Sequence, residues 1–325
     1  MQLSPESGDA PRGSSLGARM LRAFVLWFDA GAAETPATAR DGIDWARILP
    51  FIGMHLACLG VIWVGVSTTA VLVAIALYVV RMFAITGFYH RYFSHKAFRT
   101  SRPAQFFFAV LGASAVQRGP IWWAAHHRLH HAKSDRHEDP HSPTQRGFLW
   151  SHMGWFLSRG HFTPDLGRVK DLRAFPELCW LDRFDILVPV ALALALFLGG
   201  ALLDEHAPVL GTSGLQLLVW GFFISTVACY HGTYTINSLC HVWGRRRYDT
   251  GDDSRNNLWL ALITLGEGWH NNHHHYPAAA RQGFYWWEID LTYYALRGLA
   301  ALGVIWDLQP VPERIRATRR IARAR

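Results

Sequence analysis

Eighteen histidines fall in a chain of 325 residues, and eight of them form three short clusters: His90-Arg-Tyr-Phe-Ser-His95, His127-Arg-Leu-His130-His131 and His270-Asn-Asn-His273-His274. Imidazole is a ligand for zinc, copper, iron and nickel, so clustering of this density points to a transition-metal centre. In the second and third clusters the spacing i, i+3, i+4 predicts all three rings on one helix face, as shared coordination requires. In the first, positions i and i+5 lie about 140° apart on an α-helix, so those two rings need a bend or serve different metals. One zinc takes three or four protein ligands, and eight or nine histidines exceed that. Two metals are implied. Two irons with positions open to oxygen fit the scarcity of carboxylates, and two zincs are the alternative.

A ninth ligand candidate comes from Thr233, Asn237 and His241, which recur every four residues and form a stripe about 12 Å long on a helix. Polar residues in so apolar a segment are functional by default. Asp139, His137 and His141, in His-Glu-Asp-Pro-His, and Glu267, in Gly-Glu-Gly-Trp-His, are candidates for bracing the ring nitrogens that face away from the metal. His126 and His275 break the cluster spacing and are assigned to the surroundings or to solvent. A ferritin-like site would use Glu-x-x-His pairs, and two occur, Glu138 with His141 and Glu267 with His270. Pro140 interrupts the first and glycines flank the second, so this reading ranks below the histidine-only one. The scattered His55, His152, His161, His206 and His231 are read as structural.

These clusters need elements to hold them. The chain is 50% apolar, 14% aromatic and 17% charged, with long uninterrupted apolar runs, which excludes a disordered chain and points to a helical membrane protein. Spans are predicted at about 48–68, 69–88, 184–203 and 215–240, as two hairpins. The stretch Ala104–Val116, about thirteen residues, is short for a span and is read as interfacial or re-entrant. Tyr89–Arg183 carries fourteen arginines and lysines, while the links near Ser67 and at Asp204–Gly214 carry none. The basic side is therefore cytoplasmic, with both termini and the histidine clusters on that face. The expected architecture is an all-α integral membrane protein: four transmembrane helices and a cytoplasmic helical cap holding a histidine-rich di-metal site. Residues 1–44 form an N-terminal cytoplasmic segment, the first twenty expected to be disordered, with no cleavable leader and a candidate interfacial helix at Arg19–Phe28. The membrane domain is placed at 45–310. Residues 311–325 form a basic tail, with six arginines over Arg314–Arg325, either solvated or drawn to anionic headgroups. The four cysteines form no CxxC pair and imply no disulfide scaffold.

From about residue 45 to 310 the sequence resembles the membrane fatty acyl desaturases, most closely the acyl-CoA (stearoyl-CoA type) delta-9 branch. HRYFSH at 90–95, HRLHH at 127–131, HEDPH at 137–141, RGFLWSHMGW at 146–155, NSLCH at 237–241 and GEGWHNNHH at 266–274 carry the resemblance. It implies that His90, His95, His127, His130, His131, His241, His270, His273 and His274 bind two Fe2+ ions, with Asn237 reaching a metal through water. It further implies a bent acyl tunnel with Gln117 and Thr233 at its kink, Trp123 in its wall and Tyr234 alongside. Arg159 corresponds to a basic residue set against CoA phosphates, but Gly160 stands where a second is expected. The implied reaction introduces a cis double bond, at the ninth carbon, into a saturated acyl chain, with O2 as co-substrate and acyl-CoA as the leading carrier. Electrons are expected from a separate ferredoxin, flavoprotein reductase or cytochrome; no nucleic-acid partner is expected. A hydroxylase on the same scaffold is the alternative, and a metal transporter ranks below both because the ligands gather on one face.

Overall fold

The computed structural model describes residues 15–32 and 42–321. Among these, three helices are long and apolar enough to cross a membrane: Thr68–Ser94, Leu187–His206 and Gly214–Val242. The run expected to be the first span forms the shorter apolar helix Leu49–Val64. It tightens to a 3-10 turn at Cys58–Gly60 and stops at Gly65, whose φ of +66° ends the helix in the left-handed region. Of the four expected spans, three correspond to helices of spanning length, and the first corresponds only to a shorter apolar helix. The Ser67 hydroxyl caps the next helix by accepting from the Ala70 amide at 3.1 Å.

The three long helices differ in what they bury. Leu187–His206 leaves Leu187, Val190, Leu194, Leu198 and Leu202 exposed, a stripe at three- and four-residue intervals that suits a lipid-facing surface. On its inner side it packs closely against the start of Gly214–Val242. A Cβ on Gly200 would lie 2.5 Å from the Ser213 carbonyl oxygen, and one on Gly214 2.6 Å from that of Phe197. Thr68–Ser94 is joined to Gly214–Val242 by Arg81, a buried cation that donates to Thr226 Oγ1 at 2.5 Å, to the Gly221 carbonyl at 3.2 Å and to the Ser225 hydroxyl. Every guanidinium bond to a neutral oxygen offsets part of the cost of removing that charge from water.

Shorter elements, here called the cap, surround the long apolar helices. The short helix Arg102–Ala113 covers most of the stretch read as interfacial; its Phe108 ring stacks on Phe88 with centroids 3.8 Å apart. A turn follows, with Val116 and Arg118 at positive φ, and then the helix Pro120–Lys133, which carries the second histidine cluster. Arg99–Thr100 pairs antiparallel with Ile305–Trp306, tying the two ends of the cap together. Near the N-terminus, Leu16–Phe28 is helical, so Ser15–Met20 are ordered against expectation; the rest of that expectation falls on residues 1–14, outside the described residues. The described part of the basic tail is also held: Ile321 donates its amide to the Arg247 carbonyl at 2.9 Å, and Asp249 donates to Arg319.

Candidate metal centre

The first histidine cluster sits on backbone that the α-helical expectation did not foresee. From Ala84 to Ser94 the long helix continues as a π-helix, and the His95 amide donates to the His90 carbonyl, five residues back, at 3.2 Å. Widening the turn brings i and i+5 together, so the two rings sit with centroids 4.8 Å apart. The second cluster rides on Pro120–Lys133, where Pro120 fits the first turn and Asp182 accepts from the Ile121 and Trp122 amides at 2.9 Å each. The third occupies His270–His275. Just before it, a Cβ on Gly268 would collide with the backbone of Asn257, Leu260 and Ala261, so only glycine lets the chain approach the Leu258–Ile263 helix here.

These elements gather nine imidazoles into two groups. His90, His95, His127, His131 and His273 form one, and His130, His241, His270 and His274 the other; in each, the ligand nitrogens lie within 4.8 Å of one another. The second and third boxes therefore do not place all three rings in one coordination sphere. On an α-helix, i+4 lies about 40° from i and i+3 about 60° to the other side, so the i, i+4 pair stays together and the i+3 ring turns to the neighbouring group. Hence His127 and His131 part from His130, while His270 and His274 part from His273.

The spacing tests whether metals fit. The Nε2 atoms of His90 and His273 are 3.0 Å apart, those of His273 and His131 2.9 Å, and those of His95 and His127 2.8 Å. In the second group His241 and His270 are separated by 3.1 Å and His130 and His274 by 3.3 Å. Adjacent ligands at right angles around a metal with bonds of about 2.1 Å lie about 3.0 Å apart, which these values match. All-imidazole groups of five and four suit a first-row transition metal.

Carboxylates brace the rings from behind. His130 donates from Nδ1 to Asp139 at 3.0 Å, His241 to Asp135 at 2.8 Å and His274 to Asp252 at 2.6 Å. His90 Nδ1 lies 2.5 Å from Glu267. An ionised carboxylate only accepts, so each Nδ1 carries the proton and each Nε2 lone pair points into its group. Glu267 is itself held by Arg91, at 3.0 Å, and by the Gln282 amide at 2.7 Å, while Arg91 also pairs with buried Asp290 at 3.0 Å. Burial and then the neighbouring imidazoles push His95, His127, His131 and His273 well below the usual histidine range. Burial also lowers His130, but Asp139, helped by Asp135 and Asp252, outweighs it and leaves that ring raised. For His274 burial prevails over Asp252, and the ring is pushed down to about 4.

Of the bracing residues expected from sequence, Asp139 and Glu267 lie against cluster histidines, and His141 stacks near His130 with centroids 4.2 Å apart. His137 does not join them: its side chain is exposed, because the Ser134–Pro140 turn directs Asp139 inward and His137 outward. Asp135 and Asp252 escaped the sequence reading, since neither stands at a helical interval from the histidine it holds. Arg91 was also missed, although it adjoins His90. Among the scattered histidines, His55, His231 and His152 bond to one another, at 3.3 and 3.0 Å. His275 stacks on Tyr248, and His126 is buried in the cavity wall described next.

A cavity of about 370 Å³ leads to the first histidine group, with His127 in its wall. Gln117, Trp123, Thr233, Tyr234 and Asn237 line it together. The Gln117 amide donates to Thr233 Oγ1 at 3.0 Å, making a polar pair in a mostly apolar wall. Trp123 stacks on His127 with centroids 5.0 Å apart. Arg159 is exposed and does not itself line this cavity, although Leu157 and Phe162 on either side of it do, and its amide donates to the Gly42 carbonyl.

The fatty acid desaturase family model matches residues 67–307. The palmitoyl-monogalactosyldiacylglycerol delta-7 desaturase of Arabidopsis thaliana is 39% identical over 271 residues, 82% of this chain and 69% of that protein. The sn-1 stearoyl-lipid 9-desaturase of Anabaena variabilis is 38% identical over 275 residues, covering 84% and 96%. The acyl-CoA C20 Delta5-desaturase of Anemone leveillei is 35% identical over 282 residues, covering 85% and 84%. By name these relatives act on lipid-linked and CoA-linked chains at different positions, so the similarity extends across the family and does not single out the acyl-CoA delta-9 branch. With most of its length matched and two histidine groups of metal-binding geometry, the chain belongs to the fatty acid desaturase family.

Proposed function

We propose that this protein is an O2-dependent desaturase that introduces a cis double bond, at the ninth carbon, into a saturated long-chain acyl group. Family membership supports the reaction class, and the observation that carries the reading to this site is the mostly apolar cavity that holds both His127 and the Gln117–Thr233 pair in its wall. The nine histidines would hold two iron ions, with Asn237 reaching one of them through water. Iron bound there would supply the activation of dioxygen that C–H cleavage needs. The reaction balances when the two hydrogens removed from the chain, two external electrons and two external protons convert dioxygen to two waters.

The chain's own residues orient and enclose. Gln117 and Thr233 fix a polar point along an apolar channel, so that one carbon pair of a threaded chain rests beside His127. Trp123, packed on that imidazole, and Tyr234 close the sides and exclude water. Asp139, Asp135, Asp252 and Glu267 hold the Nδ1 protons, keeping each Nε2 free for metal. His141 contributes to the packing around His130. The unit responsible is placed at residues 45–310, embedded by its apolar helices with the arginine-rich cap and both termini on the cytoplasmic side.

Acyl-CoA remains the proposed carrier on the motif resemblance, with Arg159 as a candidate phosphate contact. A second reading, an acyl chain carried on a membrane lipid, is favoured by the names of the relatives at 39% and 38% identity. The electron donor is proposed to be a separate ferredoxin, flavoprotein reductase or cytochrome. Expression in a heterologous host, with fatty acids analysed by gas chromatography and mass spectrometry, tests the proposal. A new monounsaturated chain, placed by derivatisation and lost in His273→Ala, is expected. An accumulating alcohol would instead make the protein a hydroxylase. Comparing free acyl-CoA with extracted lipids for the new double bond separates the two carriers.

A further inference from the structure

A second cavity, of about 1010 Å³, shares no lining residue with the acyl cavity. It borders the third histidine cluster through Trp269 and Asn256, and its polar wall is built from Arg245, Arg246, Arg247 and Arg320. Arg320 arrives there because the tail runs beside the preceding segment, with Tyr248 bridged to Arg320 and the Ile321 amide donating to Arg247. The one carboxylate in the lining, Glu288, is already met by Arg247 at 2.5 Å, and Arg247 also donates to Asn272 at 3.0 Å. Arg246 has Asp249 at 3.6 Å near the exposed edge. Arg245 and Arg320 are exposed and make no ion pair among the described residues. The cavity therefore carries an uncompensated positive charge.

Its rim is apolar. Trp243, Trp259, Trp287 and Leu258 are all exposed around it. Leu258 and Trp259 begin the Leu258–Ile263 helix, which also exposes Leu262 and Ile263. The far end of that helix is pinned to a spanning helix, since Tyr78, within Thr68–Ser94, donates to the Ile263 carbonyl at 2.8 Å. The rim thus lies where an apolar surface continuous with the spans gives way to the arginine-rich cap. Tryptophan beside arginine is the composition of a membrane interface. A folded acidic partner would satisfy the arginines but leave the indoles and leucine against its polar surface, whereas an amphiphile satisfies both.

We infer that this cavity binds an anionic phospholipid of the surrounding bilayer, its phosphate on Arg245, Arg246 and Arg320 and its acyl chains against Trp259 and the outer face of Leu258–Ile263. The inference rests on the membrane placement proposed above and is independent of desaturation. Through Arg247 and Asn272, such a lipid would tie the basic tail to the helix that carries His270, His273 and His274.

Native mass spectrometry of the full chain, released from nanodiscs of equal parts phosphatidylcholine and phosphatidylglycerol, tests it. Retained phosphatidylglycerol is expected to exceed phosphatidylcholine, and the doubly substituted R245Q/R320Q chain should bind it about thirtyfold more weakly, at roughly 1 kcal/mol per basic residue. Arg173→Gln, which removes another exposed arginine, should change nothing. Thermal unfolding and metal content close to those of the unaltered protein show that the double variant is folded. Equal retention in R245Q/R320Q overturns the inference. So does full displacement of the lipid by millimolar inorganic phosphate, which would make the site one for free phosphate. Unchanged lipid retention with a loss of donor-dependent turnover also overturns it, and would make the face a dock for the redox protein. A chain that retains the lipid yet forms no alkene contradicts only the catalytic proposal.

Discussion

The two histidine groups are supported in different ways. The five-histidine group has one carboxylate behind it, Glu267 on His90, and that carboxylate is locked into a buried network with Arg91, Gln282 and, through Arg91, Asp290. The four-histidine group has three, Asp139, Asp135 and Asp252, each on its own imidazole and each drawn from a loop. A carboxylate behind an imidazole raises its basicity as a ligand. The difference teaches that one group is backed by a single carboxylate shared with a buried arginine network, while the other has a separate buried carboxylate behind three of its four rings. Disturbing the first should damage the fold, and disturbing the second should damage metal affinity.

The largest effect is expected from the histidines themselves. His273 lies about equally near His90 and His131, so His273→Ala should abolish turnover while leaving membrane insertion intact. His130→Ala should do the same through the other group. Product analysis checks both, and near-normal alkene formation in either variant would remove that residue from the proposed ligand set.

Glu267→Gln sharpens the contrast. It leaves Arg91 buried with one carboxylate fewer, and breaking a buried ion pair costs about 3 kcal/mol or more. A pronounced drop in thermal stability of the metal-free protein is expected, whereas Asp252→Asn, which keeps an oxygen to accept from Thr250 and Ser254 and strands no buried cation, should cost clearly less. Asp252→Asn should instead weaken metal binding by about 10- to 100-fold, read from a chelator titration. Equal stability losses in the two variants would erase the distinction between the groups.

These carboxylates also mark where the sequence stops being legible. The nine histidines could be read directly from their clustering and from the Thr233–Asn237–His241 stripe, because helical intervals of three and four are visible in a linear chain. Asp135 and Asp252 could not, since they reach His241 and His274 across 106 and 22 residues through irregular loops. The split of each HxxHH box was hidden for a related reason: which neighbouring group the i+3 ring turns to depends on what packs beside the helix. The π-helix at Ala84–Ser94 left only an awkward i, i+5 spacing as its trace. Apolar length overestimated Leu49–Val64 because hydrophobicity does not register where glycine ends a helix.

A smaller effect concerns pH. His95, His127, His131 and His273 are held well below the usual range, so on unfolding they take up protons once the pH falls below about 6.5. The unfolded state then binds more protons, and the metal-free protein should lose stability as pH drops from 7.5 to 5.5. His130 acts with the opposite sign, because its raised value adds stability that is present at low pH and lost as pH rises through it. Burial holds His270 and His141 well below the usual range as well and His274 at about 4, so the depressed rings outnumber the raised His130; the net slope in thermal unfolding should be positive, and a flat or reversed slope would contradict the assigned burial.

Counting metal per chain tests the two-site account most directly. Protein purified without oxygen and analysed by inductively coupled plasma mass spectrometry should contain two irons. His95→Ala and His241→Ala, one from each group, should each retain one. A single metal in the unaltered protein, or loss of both metals from either variant, would contradict two separately supported sites.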